Sequence, residues 1–176
     1  MDYKLLGKTG IKVSELCLGT MTFGTDWNFG SDKEESQRVF DAFVNAGGNF
    51  FDTANIYTTG TSEKYLGEFM NSERDNLVIA SKYSLTESNK INLSGNSRKN
   101  MIQSIEGSLR RLGTDYIDLY YVHAWDFLVA PEELMRNLEY LLTSGKILSI
   151  GISDTPAYIT SRCNTLAELR GWNQFA

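Results

Sequence analysis

Leu109-Arg110-Arg111-Leu112-Gly113-Thr114-Asp115-Tyr116-Ile117-Asp118-Leu119-Tyr120-Tyr121-Val122-His123 reads as the end of one element, a break, and the whole of the next. Upstream of it, Met101, Ile102 and Ile105 begin an apolar stripe that Leu109 and Leu112 continue at helical spacing, and Gly113 ends it. Ile117 to Val122 is then short and almost wholly apolar, as expected of a strand buried on both faces. The chain's only histidine follows at once. Helix, glycine, buried strand and a polar residue together describe a repeating strand-helix unit, a pattern that favours parallel strands with helices outside them.

The pattern recurs along the chain. Further strands are predicted at Glu15-Leu16-Cys17-Leu18, Asn49-Phe50-Phe51, Leu77-Val78-Ile79-Ala80 and Leu148-Ser149-Ile150-Gly151-Ile152. Ser31 and Glu34 form a capping box before a helix with Val39, Phe40, Phe43 and Val44 on one face. A shorter helix runs from about Glu63 to Met70. Another has Pro131 in its first turn, Leu134, Leu138, Leu141 and Leu142 inward, and Gly145 past its end. A last helix begins near Pro156 and carries Ile159, Leu166 and Leu169. Asn173-Gln174-Phe175-Ala176 reads as the first residues of a sixth strand. At the other end, Tyr3 to Leu6 and Lys12-Val13 flank Gly7-Lys8-Thr9-Gly10, so residues 1–14 are predicted to form a hairpin.

Two parallel architectures compete for five such units. A doubly wound dinucleotide fold wants Gly-x-Gly-x-x-Gly after its first strand. Here Gly19-Thr20-Met21-Thr22-Phe23-Gly24 stands in that place, and about ten loop residues follow before any helix. Length alone would suit a five-stranded open sheet. Chemistry favours the barrel, because Asp52, Lys82, His123 and Ser153 all follow strands, and in a barrel the carboxyl ends of all strands converge on one face.

Asp52, Tyr57, Lys82 and His123 could together move a proton while a carbonyl receives hydride. A tyrosine is a weak acid until a neighbouring cation favours its phenolate. Lys82 could be that cation and Asp52 could hold it. His123 could orient the carbonyl or share the proton. Taken singly, each has an ordinary structural explanation: a turn-capping aspartate, a packed tyrosine, a solvated lysine, a core histidine. A lysine extending the apolar run Val78-Ile79-Ala80-Ser81 is less ordinary, and three of the four follow strands that aim at one face.

Phe51-Asp52-Thr53-Ala54-Asn55-Ile56-Tyr57, with Gly60-Thr61-Ser62-Glu63 and Leu66-Gly67 after it, resembles the first signature of the aldo-keto reductase superfamily. Leu109 to His123 resembles the second. Ile79-Ala80-Ser81-Lys82 resembles the strand bearing that family's lysine, and Gly151-Ile152-Ser153-Asp154 the segment supporting the nicotinamide. The likeness keeps its order along the whole chain. It implies a (β/α)8 TIM barrel with an amino-terminal β-hairpin, and NAD(P)H-dependent reduction of an aldehyde or ketone. It makes Tyr57 the general acid, Lys82 its assisting cation, Asp52 the partner of Lys82, and His123 the group that positions the carbonyl. By the same resemblance Gly19, Thr20, Met21, Asp52, Ser153 and Asp154 lie against the cofactor, NADPH with NADH left open, and Trp125 lines the substrate pocket. Many relatives carry asparagine at the place of Asp154, and an aspartate donates no hydrogen bond unless protonated. Activity is expected only in the complete barrel, and the alternatives are a non-catalytic, NADPH-binding regulatory scaffold like the superfamily's channel-associated β subunits, or an inactive fragment.

Composition narrows the partners. The net charge of −5 and the absence of a lysine or arginine run argue against nucleic acid. Cys17 and Cys163 stand far apart without metal-ligand spacing, so no metal is expected, and Cys17 between Leu16 and Leu18 reads as a small buried hydrophobe. Neither a signal peptide nor a membrane span is readable, so a cytoplasmic protein acting on a small carbonyl compound is expected. Complete barrels of this kind use about 250 residues. The 176 residues are therefore expected to form one incomplete domain of about five units, with an inner face of large apolar side chains and open edges prone to association.

Overall fold

Short strands that are apolar on both faces need helices on one side and other side chains on the other. The computed structural model describes every residue except Asn71, Ser72 and Glu87, and meets that need with one parallel sheet. In chain order the elements are β1 (Tyr3–Leu5), β2 (Lys12–Ser14), β3 (Leu18–Gly19), α1 (Lys33–Asn45), β4 (Phe50–Asp52), α2 (Thr61–Met70), β5 (Val78–Tyr83), α3 (Arg98–Leu112), β6 (Ile117–Val122), α4 (Pro131–Thr143), β7 (Ile147–Ile152) and α5 (Ala157–Arg170). β1 and β2 form the expected antiparallel hairpin. It docks through Asn49, whose amide accepts from Ser14 N–H (2.7 Å) and donates to the Lys12 carbonyl (3.1 Å), so it covers the sheet end from which β4 starts.

The sheet order is β3-β4-β5-β6-β7, strictly sequential. A doubly wound sheet reverses its order at a switch point. None occurs among the described strands, and the order fits part of a barrel wall. Consecutive helices pack against one another from α1 to α5, so they form a layer on one face. Between that layer and the sheet lies the core, including Phe40 stacked on Phe51 (4.9 Å) and Tyr83 on Tyr120 (5.4 Å).

Gly67 shows how close the layer is packed. A Cβ there would stand 2.6 Å from the Leu112 carbonyl oxygen and 2.8 Å from that of Arg111, both backbone atoms. Gly67→Ala gains roughly 1 kcal/mol of helix propensity, yet forced overpacking costs about 1–3 kcal/mol. We expect a net loss of stability, read as a lower urea midpoint; an unchanged or raised midpoint would show that the two helices separate freely.

Several boundaries differ from the sequence reading, each for a local reason. β3 is only Leu18–Gly19, an edge with a single partner, so Leu16 and Cys17 are exposed rather than buried. The cap of α1 is Asp32, whose carboxylate accepts from Glu35 N–H (2.9 Å). Ser31 is instead tied by its backbone and hydroxyl to the Thr22 carbonyl. Val39 lies on the solvent margin of that helix. In α5 the inward stripe is Ile159, Cys163 and Ala167, one turn apart, whereas Leu169 is 77% exposed. Residues 173–176 form no strand; they make one ladder-like bond, Ala176 N–H to the Ile150 carbonyl (2.9 Å). On the face away from the helices, alternation puts Phe50, Val78, Ile117, Leu119 and Ile147 together with Asp52, Ala80, Lys82, Tyr121, Ser149 and Gly151. Apolar side chains therefore gather toward the strand starts and polar ones toward the strand ends, and the Tyr121 ring lies directly over Gly151. Among the described residues no helix is long and apolar enough to cross a membrane.

Candidate active site

Register brings the polar strand ends together. Gly19 pairs with Asp52, Asp52 with Ala80, and Lys82 with Tyr121, so the residues near those positions share one end of the sheet. Asp52 is the last residue of β4, and Lys82 stands inside β5, which runs three residues further than its apolar run implied. His123 directly follows β6 and Ser153 directly follows β7.

Lys82 is the hub. It is 7% exposed, a burial that a lysine tolerates only with partners. Its ammonium forms an ion pair with the Asp52 carboxylate, donates to the Thr53 carbonyl (2.9 Å) and donates to the Tyr57 hydroxyl (3.1 Å). The cation also lies 4.7 Å from the Tyr57 ring centroid and 6.0 Å from that of Tyr121. His123 meets Tyr57 edge to face, ring centroids 5.9 Å apart. All four groups that the sequence reading gathered therefore converge.

His123 is held by its own backbone, with N–H donating to the Tyr83 carbonyl (2.9 Å), while its Nδ1 is buried without a hydrogen-bond partner among the described residues. Burial lowers its pKa below the ordinary 6.5, and the Lys82 cation lowers it further against the weaker pull of Asp154 and Asp52. The imidazole is thus neutral at pH 7. An NMR titration is expected to place His123 below 6.5. Because the depressed value exists only in the folded state, folding stability should be full above 6.5 and decline as the pH falls through the folded-state value. A titration at or above 6.5 would contradict the burial argument.

The remaining candidates occupy different situations. Gly19 and Met21 are exposed, and a Cβ on Gly19 would meet nothing within 4 Å. Thr20 is fully buried, its hydroxyl bonded to the Asp52 carbonyl (3.0 Å), so its side chain supports Asp52 rather than lining open surface. Ser153 donates to the His123 carbonyl. Asp154 is exposed at φ +37°, and its carbonyl accepts from Trp125 N–H (3.3 Å). Trp125 is buried at 7% exposure and belongs to the core. Its loop is clasped by reciprocal bonds between Asn96 and Asp126 (2.7 and 2.8 Å), with Ser84 accepting from Ala124 N–H (3.0 Å).

Three contributors escaped the sequence reading. Thr53 acts through its carbonyl, which no residue type announces. Trp27 meets Tyr57 edge to face at 6.5 Å from within an irregular loop. Tyr121 was findable, since it stands two residues before His123 on the same face of the strand as Leu119; burial, reinforced by Asp52, pushes its phenol up. No group of three or more histidine, cysteine or carboxylate side chains gathers as a metal cage among the described residues.

The aldo/keto reductase family model matches residues 15–171. Norsolorinic acid reductase of Emericella nidulans is 47% identical over 177 residues, covering 94% of this chain and 46% of that protein. The norsolorinic acid reductase of Aspergillus flavus is 43% identical, covering 98% and 47%. An NADP(+) aryl-alcohol dehydrogenase of Phanerodontia chrysosporium is 44% identical, covering 94% and 47%. The chain spans about half the length of the curated relatives it matches.

Proposed function

The chain belongs to the aldo/keto reductase family, and from that premise we propose that the protein reduces an aldehyde or ketone with NADPH, using Tyr57 as the acid. The observation that carries this reading is the Tyr57 hydroxyl 3.1 Å from a buried, carboxylate-paired Lys82 ammonium. The name of one relative, an aryl-alcohol dehydrogenase, supports an aromatic carbonyl compound as substrate. So does the aromatic surround of Tyr57, formed by Trp27 and His123.

NADPH, when bound, supplies the hydride that the carbonyl carbon receives. Open space above Gly19 and the polar end of β7 at Ser153 fit a nicotinamide, although Asp154 supplies an acceptor where a carboxamide oxygen would want a donor. Tyr57 gives its phenolic proton to the carbonyl oxygen. The Lys82 ammonium, already hydrogen-bonded to that phenolic oxygen, balances the charge left there. Asp52 and the Thr53 carbonyl keep the ammonium in place. His123, neutral and beside Tyr57, orients the carbonyl oxygen by donating its ring N–H.

The test is consumption of NADPH by the full-length gene product with a panel of aryl aldehydes and ketones, followed by identification of the alcohol. Turnover is expected. Tight NADPH binding without turnover on any member of the panel would overturn the reductase reading in favour of a binding scaffold.

A further inference from the structure

Tyr57 opens a turn whose backbone is unusual. Thr58 (φ 45°, ψ 46°), Thr59 (φ 55°, ψ 30°) and Gly60 (φ +91°) are three consecutive residues at positive φ, and the first two are β-branched. β-branched residues avoid that region, so the surrounding contacts must enforce it.

The enforcing group is the Thr58 hydroxyl. Thr58 is fully buried; its Oγ1 donates to the Phe23 carbonyl (2.6 Å) and accepts from Ser62 N–H (3.0 Å). The first bond ties the turn to the loop after β3, and the second ties it to the start of α2. Ser62 continues the connection. Its hydroxyl donates to the Thr20 carbonyl (2.7 Å) and stands 2.9 Å from the hydroxyls of both Thr20 and Thr53. Thr20, Thr53, Thr58 and Ser62 are all 0% exposed, forming a buried frame of hydroxyls. That frame meets the proposed site at two backbone atoms: the Thr53 carbonyl, which accepts from Lys82, and the Asp52 carbonyl, which accepts from Thr20.

We infer that Thr58 is a positioning residue: by bridging the Phe23 carbonyl and the Ser62 amide, its hydroxyl holds the left-handed turn that sets Tyr57 against Lys82. The inference rests on the reductase reading for its kinetic consequence, but not for the geometry of the turn. A valine at 58 keeps the branched shape and removes both hydrogen bonds, whereas a serine keeps the hydroxyl and removes only a methyl group.

In the full-length protein, Thr58→Val is expected to lower kcat roughly 10- to 100-fold with KM little changed, the scale expected when a reacting group shifts by about 1 Å. Thr58→Ser should recover most of that loss. Independently of turnover, exchange of the Ser62 amide hydrogen should accelerate in Thr58→Val and stay slow in Thr58→Ser, with thermal melts confirming that both variants fold. Wild-type kcat in Thr58→Val, or equal losses in the two variants, would overturn the inference. If the wild-type protein reduces nothing, the reductase reading fails, and the Ser62 exchange rates alone decide whether the Thr58 hydroxyl holds the turn.

Discussion

Tyr57→Phe is expected to lower the rate of carbonyl reduction by roughly two to four orders of magnitude, the range that a positioned general acid contributes. The substitution removes one oxygen. The ring that remains keeps its edge-to-face contacts with Trp27 and His123, so the site should hold its shape. Lys82 loses one acceptor but retains the Asp52 carboxylate and the Thr53 carbonyl. NADPH affinity, measured by fluorescence, should therefore stay close to wild type while kcat collapses. A variant retaining even a tenth of wild-type kcat would sink the assignment of Tyr57 and shift attention to His123 as proton source.

The second large effect concerns stability. Arg74 and Asp118 form an ion pair at 2.8 Å, with side-chain exposures of only 12% and 9%. The guanidinium also donates to the Thr114 hydroxyl (3.0 Å) and to the carbonyls of Leu77 (3.1 Å) and Tyr116 (2.8 Å), and lies 3.9 Å from the Tyr116 ring centroid. Asp118 accepts from Ile79 N–H (2.9 Å), completing the start of β5. Burial raises the Asp118 pKa despite the opposing pull of Arg74 and of that amide. Arg74→Ala would leave this carboxylate buried and unpaired, and removal of one partner of such a pair costs about 3–5 kcal/mol. Without Arg74 the carboxyl should rise further. A carboxyl raised in the folded state destabilises most above its folded pKa and least once protonated, so the gap between variant and wild type should narrow as the solution is acidified through the carboxylate range. Urea unfolding at neutral and acidic pH reads both effects. A loss below about 1 kcal/mol, the scale of a surface pair, would show that water reaches Asp118 freely.

Much of the site was legible because strands aim their ends. Asp52, Lys82 and His123 each lie where an apolar run stops or a charge interrupts it, so a parallel arrangement alone brings them together. Tyr57 was less accessible, being five residues past its strand on a turn whose left-handed backbone falls first on threonines rather than glycines. Only Gly60 at the end of the turn is of a type that normally reports such a conformation, and the threonines' contacts reach partners distant in sequence, Phe23 above all. Similar reasons explain the local misreadings. Cys17 looked buried because its neighbours are apolar, but at an edge with one partner no second strand covers it. Leu169 was read as inward from its helical spacing, but the residues of α5 that join the core are Ile159, Cys163 and Ala167, with Leu166 half-buried beside them. Side-chain identity tells what a residue prefers, whereas coverage depends on what packs beside it.

The sequential order of the sheet bears on how the chain is made. Each strand from β4 onward pairs with the strand synthesised just before it, and each helix packs on its predecessor. Chains leave the ribosome at about 5–20 residues per second, and domains tend to fold from the amino terminus. A sheet ordered in this way lets every new unit find a finished template already outside the exit tunnel, with only its own helical crossover to close. The groups of the proposed site leave the ribosome in the same order, Asp52 and Tyr57 first, Lys82 next and His123 last, so each is added to the sheet with the unit that carries it.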